Sequence, residues 1–565
     1  MIDELQLTRR LRRLAFALGL TLAAAGAHAQ GDPAITGAVT RADGGAAAQP
    51  EGDAPAPVAA RRGRSRAEIR PYLEVAQVLS ADLDGGETLT YTSVAAGVDG
   101  HIETRRVTAQ MSLRYEHHFD WQSRSGDQDI VSGVAAVHAE VSRGLSLDAG
   151  GIATRTGGEG RTFGVTNQDR SVDVYALYAG PTLATHAGPL AINGAYRFGY
   201  AKVDDHRPGG LLDSDFDSST SHSLTGSVGM APNRGLPFGW TVGAGYAREN
   251  SGGRFRNRFE GAYVRGDVVV PISPTLALTA GVGYEDIQAS QRDVVRDAGG
   301  VPVPDAQGRL QPDPNAPRLL TYDMDGIMYD GGILWRPSPR TELQARAGHR
   351  YGGTTYVGSL SHRIGAHSSV NAVVYDTVET FGRQLTTQIN GLPANFNVTR
   401  DPLSGGLGGC VFGQTGGGAC LDRSLQSITG STFRARGVNI AFAGERRSWS
   451  YGIGAGYNHR RYFLPSGAAF VTTQASSDDD FSVYGNIGRR LSRTSDINLN
   501  AYMSWYDSDR PGSEAVTSEG ATLSYNRSFL LERLQLLAAL GVYHSDDGTD
   551  AATNASALAG LRYTF

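Results

Sequence analysis

Three charged side chains at every fourth position are the first candidates for chemistry in this sequence. Glu342, Arg346 and Arg350 lie in a stretch where apolar and polar residues alternate. On a β-strand this spacing puts all three on one face, with the two arginines about 13 Å apart. Such a column could bias the passage of ions through an aqueous channel. It could equally pair with acidic neighbours and only stiffen the structure, so both interpretations stay open here.

The two cysteines form a second candidate site. Cys410 and Cys420 lie ten positions apart in a glycine-rich segment. No histidine and no second cysteine pair flanks them at the spacing of a metal site. In an exported protein, such a pair favours a local disulfide that constrains the loop around it. We therefore expect a disulfide, no metal and no cofactor.

Groups that could act as catalysts are limited to histidines near carboxylates. His117 and His118 precede Asp120, and His206 follows two aspartates. Adjacent residues of a strand point to opposite faces, so only one of the first two histidines can face an interior. The sequence contains no G-x-S-x-G, no H-E-x-x-H and no nucleotide-binding glycine loop between a strand and a helix. We expect no enzymatic activity.

The elements that must position these groups are strands. From Tyr72 onward, segments of ten to sixteen residues alternate between apolar and polar positions, as at 276–285, 449–458 and 497–506. Each apolar face spans about ten residues and often ends in an aromatic residue, as in a tilted strand that crosses a bilayer. The pattern predicts an all-β fold, a transmembrane antiparallel outer-membrane β-barrel of about 22 strands (range roughly 20 to 24).

The connections between the strands fall into two classes. Short turns such as 143–144 and 188–189 alternate with connections that include long polar loops at 205–217, 291–317, 381–429 and 464–479. Outer-membrane barrels have short turns on the periplasmic side and long loops on the extracellular side. An even number of strands then puts both termini in the periplasm.

The ends of the sequence carry features of export and assembly. Arginines between positions 9 and 13, a short apolar run and Ala27-His28-Ala29 predict a signal peptide over residues 1–29. Residues 30–69, rich in Ala, Gly and Pro, are expected to form a disordered periplasmic tether, and residues 70–565 the barrel. Leu561, Tyr563 and Phe565 share one face of the last strand and are the expected barrel-assembly signal.

The apolar face of each strand is expected to meet lipid, since a charge on that face costs about 2 to 4 kcal/mol near the membrane midplane. The opposite face then lines the lumen. The charged residues expected there are Arg114, Glu116, Arg197, Glu285, Glu342, Arg346 and Arg350. By the same alternation, Leu343, Ala345, Ala347, His349 and Tyr351 are expected to face lipid.

The stretch around these residues resembles the outer-membrane β-barrels associated with exosortase and PEP-CTERM sorting systems. The resemblance covers about sixty residues and is architectural elsewhere. The matching residues are Trp335, Pro337, Ser338, Pro339, Arg340 and Thr341; Gly348, Arg350, Tyr351 and Gly353; and Ser359, Ser361, His362 and Arg363. The resemblance implies a barrel often linked to exopolysaccharide production, without established catalytic residues.

Two functions fit these features. The first is a channel, or an export or uptake conduit, for polar solutes or surface polysaccharide; the second is a non-conducting structural or assembly scaffold of the cell envelope. No segment before Tyr72 is large enough for a plug domain, which disfavours TonB-dependent uptake. The expected location is the outer membrane of a Gram-negative bacterium. The expected partners are outer-membrane lipid and lipopolysaccharide, the barrel-assembly machinery and, for a polysaccharide cargo, export components; the net charge of −5 favours no nucleic acid.

The cysteine pair gives a first testable prediction. Cys410 and Cys420 should resist maleimide labelling in freshly isolated protein and react after reduction, because an oxidising envelope favours the bridge. Mass spectrometry of the labelled peptides measures this. Free thiols before reduction would contradict the disulfide.

Overall fold

A computed structural model describes the part of the chain in which the strands lie. The described residues are 66–86, 88–121, 128–157, 171–205, 216–253, 255–303, 306, 311–365, 367–391, 396–397, 400–403, 410–413, 418–420, 425, 427–465, 475–510, 513–531 and 533–565. The predicted signal peptide (1–29) lies outside them, as does the tether up to residue 65.

Twenty-two strands form one antiparallel sheet that closes on itself. Each strand pairs with its neighbour along the chain, and the last strand pairs with the first from Tyr72 opposite Thr564 to Asp82 opposite Asn554. The predicted barrel of about 22 strands is confirmed. Its strands are β1 (Arg66–Asp82), β2 (Thr88–Glu103), β3 (Val107–Asp120), β4 (Gln128–Ser142), β5 (Leu145–Thr156), β6 (Val172–Ala187), β7 (Leu190–Asp205), β8 (Ser218–Met230), β9 (Gly239–Ser251), β10 (Arg258–Ser273), β11 (Leu276–Gln291), β12 (Leu319–Ser338), β13 (Thr341–Arg350), β14 (Gly353–Arg363), β15 (Ser368–Glu379), β19 (Phe433–Arg446), β20 (Trp449–Tyr462), β21 (Ser477–Arg490), β22 (Ser495–Ser508), β23 (Val516–Phe529), β24 (Leu534–Asp546) and β25 (Ala551–Thr564).

The connection between β15 and β19 contains the remaining elements. They are the helix α1 (Phe381–Asn390) and the short strands β16 (Phe396–Asn397), β17 (Cys410–Gly413) and β18 (Gly418–Cys420), which form a separate three-stranded sheet. Among the described helices, none is both long enough and apolar enough to cross a membrane.

Alternation along each strand separates a lipid face from a lumen face. On β11, Leu278 and Val282 are about half exposed on the outside, whereas Thr279 between them is buried. The same outward apolar pattern recurs around the barrel and forms a continuous belt. Because hydrocarbon offers no hydrogen bonds, a closed sheet with an apolar outer surface is the arrangement that lets strands span a membrane.

All of the long connections lie at one end of the barrel, because each follows an odd-numbered strand in barrel order. At the other end the connections are short, the longest being 231–238 between β8 and β9, and Gly144 and Gly188 take positive φ values of 80° and 61° there. This backbone conformation is costly for residues with a Cβ, so glycine fits these two turns. Short and long connections therefore segregate as the alternation of loop lengths predicts.

Three sequence expectations need adjustment. The first strand begins at Arg66 instead of residue 70, because Arg66 continues the ladder with β2 opposite Glu103. Tyr351 does not face lipid: it is only 5% exposed, with φ of 53°, because the β13–β14 turn breaks the alternation there. The longest connection, expected at 381–429, runs from 380 to 432 and contains a helix that the period-two pattern did not indicate.

The two faces of β22 give a prediction with an internal control. Leu499 faces outward in the belt, and Asn500 beside it faces the lumen opposite the polar Asn486 and Thr522. Leu499→Arg should destabilise the inserted barrel by about 2 kcal/mol, whereas Asn500→Arg should cost much less. Urea unfolding in lipid vesicles measures both. Equal effects would show that the faces are assigned wrongly.

Candidate functional site

Part of the lumen wall is apolar, which an aqueous channel does not require. Val134, Ile152, Val174 and Ala201 point inward from four neighbouring strands, β4 to β7, and are all buried. The outward positions of these strands are apolar as well, as at Leu177. An inward apolar patch exposed to water would be unfavourable, so it must be covered by other residues of the chain.

The helix α1 covers this patch. Phe381, Leu385 and Ile389 recur at intervals of four, so they share one face of the helix, and each is at most 1% exposed. They belong to the same apolar cluster as the wall residues, and Phe381 meets Phe216 edge to face with ring centroids 4.8 Å apart. The residues between β15 and β19, 380–432, are called the inserted segment below, because α1 fills the lumen beside β5 to β9.

Polar contacts fix the first turn of α1. Thr380, the N-cap residue, makes no capping hydrogen bond; its hydroxyl donates to Glu249 of β9 at 2.6 Å instead. The Arg383 guanidinium lies over the Phe259 ring, 4.5 Å from its centroid. A Cβ at Gly382 would collide with Ser219, so glycine allows the helix to approach the wall this closely.

The last turn of α1 is held by one of the predicted lumen residues. Arg197 of β7 donates to the side chain of Asn390 at 3.2 Å and to the Asp148 carboxylate at 2.8 Å. A small cavity of about 30 Å³ lies between this turn and the wall, lined in part by Ser221 and Thr386. Arg197 thus joins the wall to the inserted segment.

The inserted segment also contacts the barrel on the side of β22 to β25 and β1 to β2. Asp401 accepts a hydrogen bond from the Tyr543 hydroxyl at 2.6 Å and one from Thr522 at 3.3 Å. Leu403 is 3% exposed and packs among apolar residues of this wall, including Leu558. The helix lies against β5 to β9, so the inserted segment extends across the lumen between two parts of the wall.

Its last part contacts the cluster of α1 and the strand β20. Leu425 is buried in the cluster of α1, and the hydroxyls of Ser427 and Tyr462 are 2.8 Å apart. The inserted segment therefore contacts the barrel at Leu403 and contacts the α1 cluster again at Leu425. The lumen is crossed by the protein's own chain.

The other predicted lumen charges have partners in the wall. Arg114 lies 2.9 Å from Glu74 and 2.8 Å from Glu116, and Arg562 of the last strand also reaches Glu74, at 2.8 Å. His118 faces inward and contacts Glu116, whereas His117 faces outward and contacts Asp129. Arg562 links the last strand to the first, so this network supports the closure of the barrel.

The charged column on β13 is also neutralised. Arg346 contacts Asp267 at 2.8 Å and Asp330 at 3.0 Å, and both carboxylates also pair with Arg265. The geometry therefore favours the second of the two interpretations for Arg346, in which the charge stabilises the wall.

Arg350 and Glu342 have different surroundings from Arg346. Arg350 donates to Glu285 at 2.7 Å, and the other oxygen of Glu285 accepts from the backbone N–H of Tyr351. These two residues hold the β13–β14 turn. Glu342, half exposed at the opposite end of β13, pairs with Arg336 at 3.2 Å.

The cysteines and the C-terminal residues have positions that fit their predicted roles. The register of β17 and β18 puts Cys410 directly opposite Cys420, so the disulfide stays a prediction that the backbone allows. Leu561, Tyr563 and Phe565 all point outward, and all are at least 40% exposed. In the described part of the chain, no group of three His, Cys, Asp or Glu residues is placed to hold a metal ion.

Sequence reasoning missed several buried charges. Arg460 is fully buried and pairs with Asp478 at 2.7 Å, and the hydroxyl of Tyr462 donates to the same carboxylate. Applying the alternation of outward and inward positions to β20 and β21 would have identified them as inward residues. Asp401 lies in a loop without periodicity, so no pattern in the sequence marked it.

Comparison with known proteins gives matches only at the level of structure. No protein-family model and no curated protein sequence matches the chain. Solved structures similar to it include the alcaligin outer membrane receptor FauA of Bordetella pertussis, at 11% identity over 87% of this chain and 76% of that one (TM-score 0.37). The iron transporter FrpB of Neisseria meningitidis is 8% identical over 88% and 81% (TM-score 0.44), and the siderophore receptor PiuA of Acinetobacter baumannii 10% over 88% and 82% (TM-score 0.43).

These similarities are too low to carry an argument about function, and the resemblance to exosortase-associated barrels stays a prediction. The fold and location rest on the strands themselves. A closed sheet with an even number of antiparallel strands, an apolar outer belt and one end of long loops is characteristic of bacterial outer-membrane barrels. The chain is a 22-stranded barrel of the Gram-negative outer membrane.

Proposed function

We propose that the protein is a gated conduit for polar solutes, in which the inserted segment closes the lumen. One observation carries the proposal: the segment crosses the lumen between opposite contacts, yet none of its described residues between 380 and 425 belongs to a barrel strand. A segment outside the sheet can move without breaking the ladder that holds the barrel in the membrane.

The two ends of the inserted segment's path across the lumen differ in how strongly they are attached to the barrel. The α1 end buries Phe381, Leu385 and Ile389 and has polar contacts at both turns. Among the described residues, the other end is attached by Leu403, by Asp401 and by Arg400, which donates to the backbone oxygen of Ser132 at 3.4 Å. A buried leucine contributes about 2 kcal/mol and a hydrogen bond to a charged group about 1.5 to 3 kcal/mol.

These contributions make the Leu403 end the part that opens. If the closed and open states differ in free energy by a few kcal/mol, the open state makes up about 0.1 to 10% of the population. The conduit would then be closed most of the time and would open briefly, with α1 still attached to β5–β9.

The class of cargo follows from the lumen wall. Its paired Arg and carboxylate groups suit polar solutes, including the hydroxyl-rich surface of a polysaccharide. The resemblance noted at Trp335–Arg363 supports surface polysaccharide as the finer proposal. Either direction, export or uptake, is compatible with a passive gate.

The pairing of the lumen charges also favours a second candidate, a non-conducting envelope scaffold. Arg460, Arg346 and Arg350 are all buried against carboxylates, as expected of an interior that is only structural. The two functions differ in one observable. A scaffold carries no current however weakly the segment is attached.

Conductance of variants at Leu403 tests the conduit. Leu403→Ala should destabilise the closed state by about 2 kcal/mol and so raise the ratio of open to closed time roughly 30-fold. Single-channel recording in planar bilayers measures this. Leu540→Ala is the matched control, because Leu540 lies on the adjacent wall but faces lipid, and it should behave as the unaltered protein. Absence of current in all three proteins would rule out the conduit and leave the scaffold.

A further inference from the structure

The shortest ladder among the described barrel strands joins β14 to β15. It runs from Gly358 opposite Val374 to Arg363 opposite Ser369, six residue pairs. The neighbouring ladders have ten pairs (β13–β14) and twelve pairs (β15–β19). The seam between β14 and β15 therefore stops about halfway up the wall.

The cause is the early turn between β13 and β14. That hairpin reverses at Tyr351 and Gly352, both with positive φ, whereas β15 continues to Glu379. Residues 353–357 of β14 have ladder partners on β13 and none on β15. Residues 375–379 of β15 have ladder partners on β19 alone. We call this stretch, in which β14 and β15 form no ladder pairs with each other, the open seam.

Side chains from β19 bridge the open seam. Arg434 donates to the backbone oxygens of Tyr351 at 3.3 Å and Thr354 at 3.2 Å, and Arg436 donates to Thr354 at 2.9 Å. Both guanidiniums also contact Asp376, at 2.7 Å and 3.1 Å. Hydrogen bonds from side chains thus stand where the ladder between β14 and β15 is missing.

The open seam begins at the outer edge of the lipid belt. Tyr356 of β14 and Tyr329 of β12, two strands away, are each about 60% exposed on the outside, as expected of the aromatic girdle at the membrane interface. Two arginines share the one carboxylate of Asp376 there, and Arg436 is half exposed. This leaves a positive charge at the level of the lipid headgroups.

An apolar cluster lies behind the open seam, beside the buried polar residues Thr355, Thr377 and Glu379. Val378 and Tyr351 close it and pack with Met328, Ile287 and Phe259. Stacked rings of Tyr322 and Phe463, 4.0 Å apart, extend this surface. Within the described chain, the buried hydroxyls of Thr355 and Thr377 on either side have no hydrogen-bond partner. The gap in the ladder, which side chains fill, therefore lies between a cationic outer rim and an apolar cluster inside.

We propose that the open seam is a lateral passage between the lumen and the outer leaflet that takes a single-chain anionic amphiphile. The carboxylate or phosphate head would pair with Arg434 and Arg436, and the acyl chain would lie against the cluster of Val378 and Met328. This goes beyond the proposed conduit for polar solutes and stands on different residues, so it can hold whether or not the lumen conducts ions.

Photolabelling with a diazirine-bearing palmitate tests the passage. The full-length protein is reconstituted in phosphatidylcholine nanodiscs, irradiated with the probe and mapped by mass spectrometry. Adducts on outward belt residues such as Val282 are expected from any lipid probe and serve as the reference. The proposal predicts additional adducts on the inward Met328 and on Val378, reduced at least fivefold relative to the reference in Arg434→Gln/Arg436→Gln.

A disulfide across the open seam separates this route from entry through the mouth. Continuing the β14–β15 register upward would put Thr355 opposite Thr377, so Thr355→Cys/Thr377→Cys can close the gap covalently. The matched control, Ser482→Cys/Ser504→Cys, bridges the fully paired β21–β22 ladder. The unaltered protein with and without reductant controls for the native cysteines.

The oxidised Thr355→Cys/Thr377→Cys protein should lose the inward adducts and regain them on reduction, while the control pair keeps them throughout. Inward adducts that persist in the oxidised protein would overturn the passage, because the probe would then enter from the mouth. Adducts confined to outward residues in the unaltered protein would overturn it as well. Inward adducts from a photoreactive phosphatidylglycerol, and none from palmitate, would overturn the single-chain assignment.

Discussion

The pairing of the first strand with the last is the interaction on which the rest of the structure depends. In hydrocarbon an unpaired backbone amide costs several kcal/mol, so a spanning sheet must close. The β1–β25 ladder achieves this over eleven residue pairs, and Glu74, shared by Arg114 of β3 and Arg562 of β25, supports it from inside. In the closed barrel every strand presents an apolar face to the lipid. The opposite face of each strand lines a wide lumen.

A barrel of 22 strands is too wide for its wall side chains to fill, and barrels of this size usually hold a plug. Here the connection after β15 enters the lumen. That solution explains two features that an open channel would not have: the inward apolar patch of Val134, Ile152 and Val174, which receives α1, and the close approach at Gly382. It also explains why the wall charges pair among themselves, since buried charges need partners.

The sequence predicted the features that follow from period-two alternation. Strand number, the lipid face and the inward position of Arg114, Glu285 and Arg346 all come from that period, because lipid penalises any charge on the wrong side. It did not predict α1. A helix of ten residues is too short to be stable in isolation, so α1 depends on packing against the wall. Nor did it predict that Arg197 would contact Asn390, which is 193 positions away along the chain. The open seam also escaped prediction, because the glycine turn after Tyr351 indicated a hairpin but not how far the next strand would continue.

The central claim is that the inserted segment closes a path through the barrel, and a reversible covalent closure tests it most directly. Leu403 lies against Gly541 of β24, so closely that a Cβ at Gly541 would touch its side chain. A disulfide in Leu403→Cys/Gly541→Cys would therefore hold the segment in its closed position. Single-channel recording should show no openings of the oxidised protein and, after reductant is added to the same bilayer, openings at least as frequent as those of the unaltered protein in reductant. Openings of the oxidised protein as frequent as those of the unaltered protein would contradict the account.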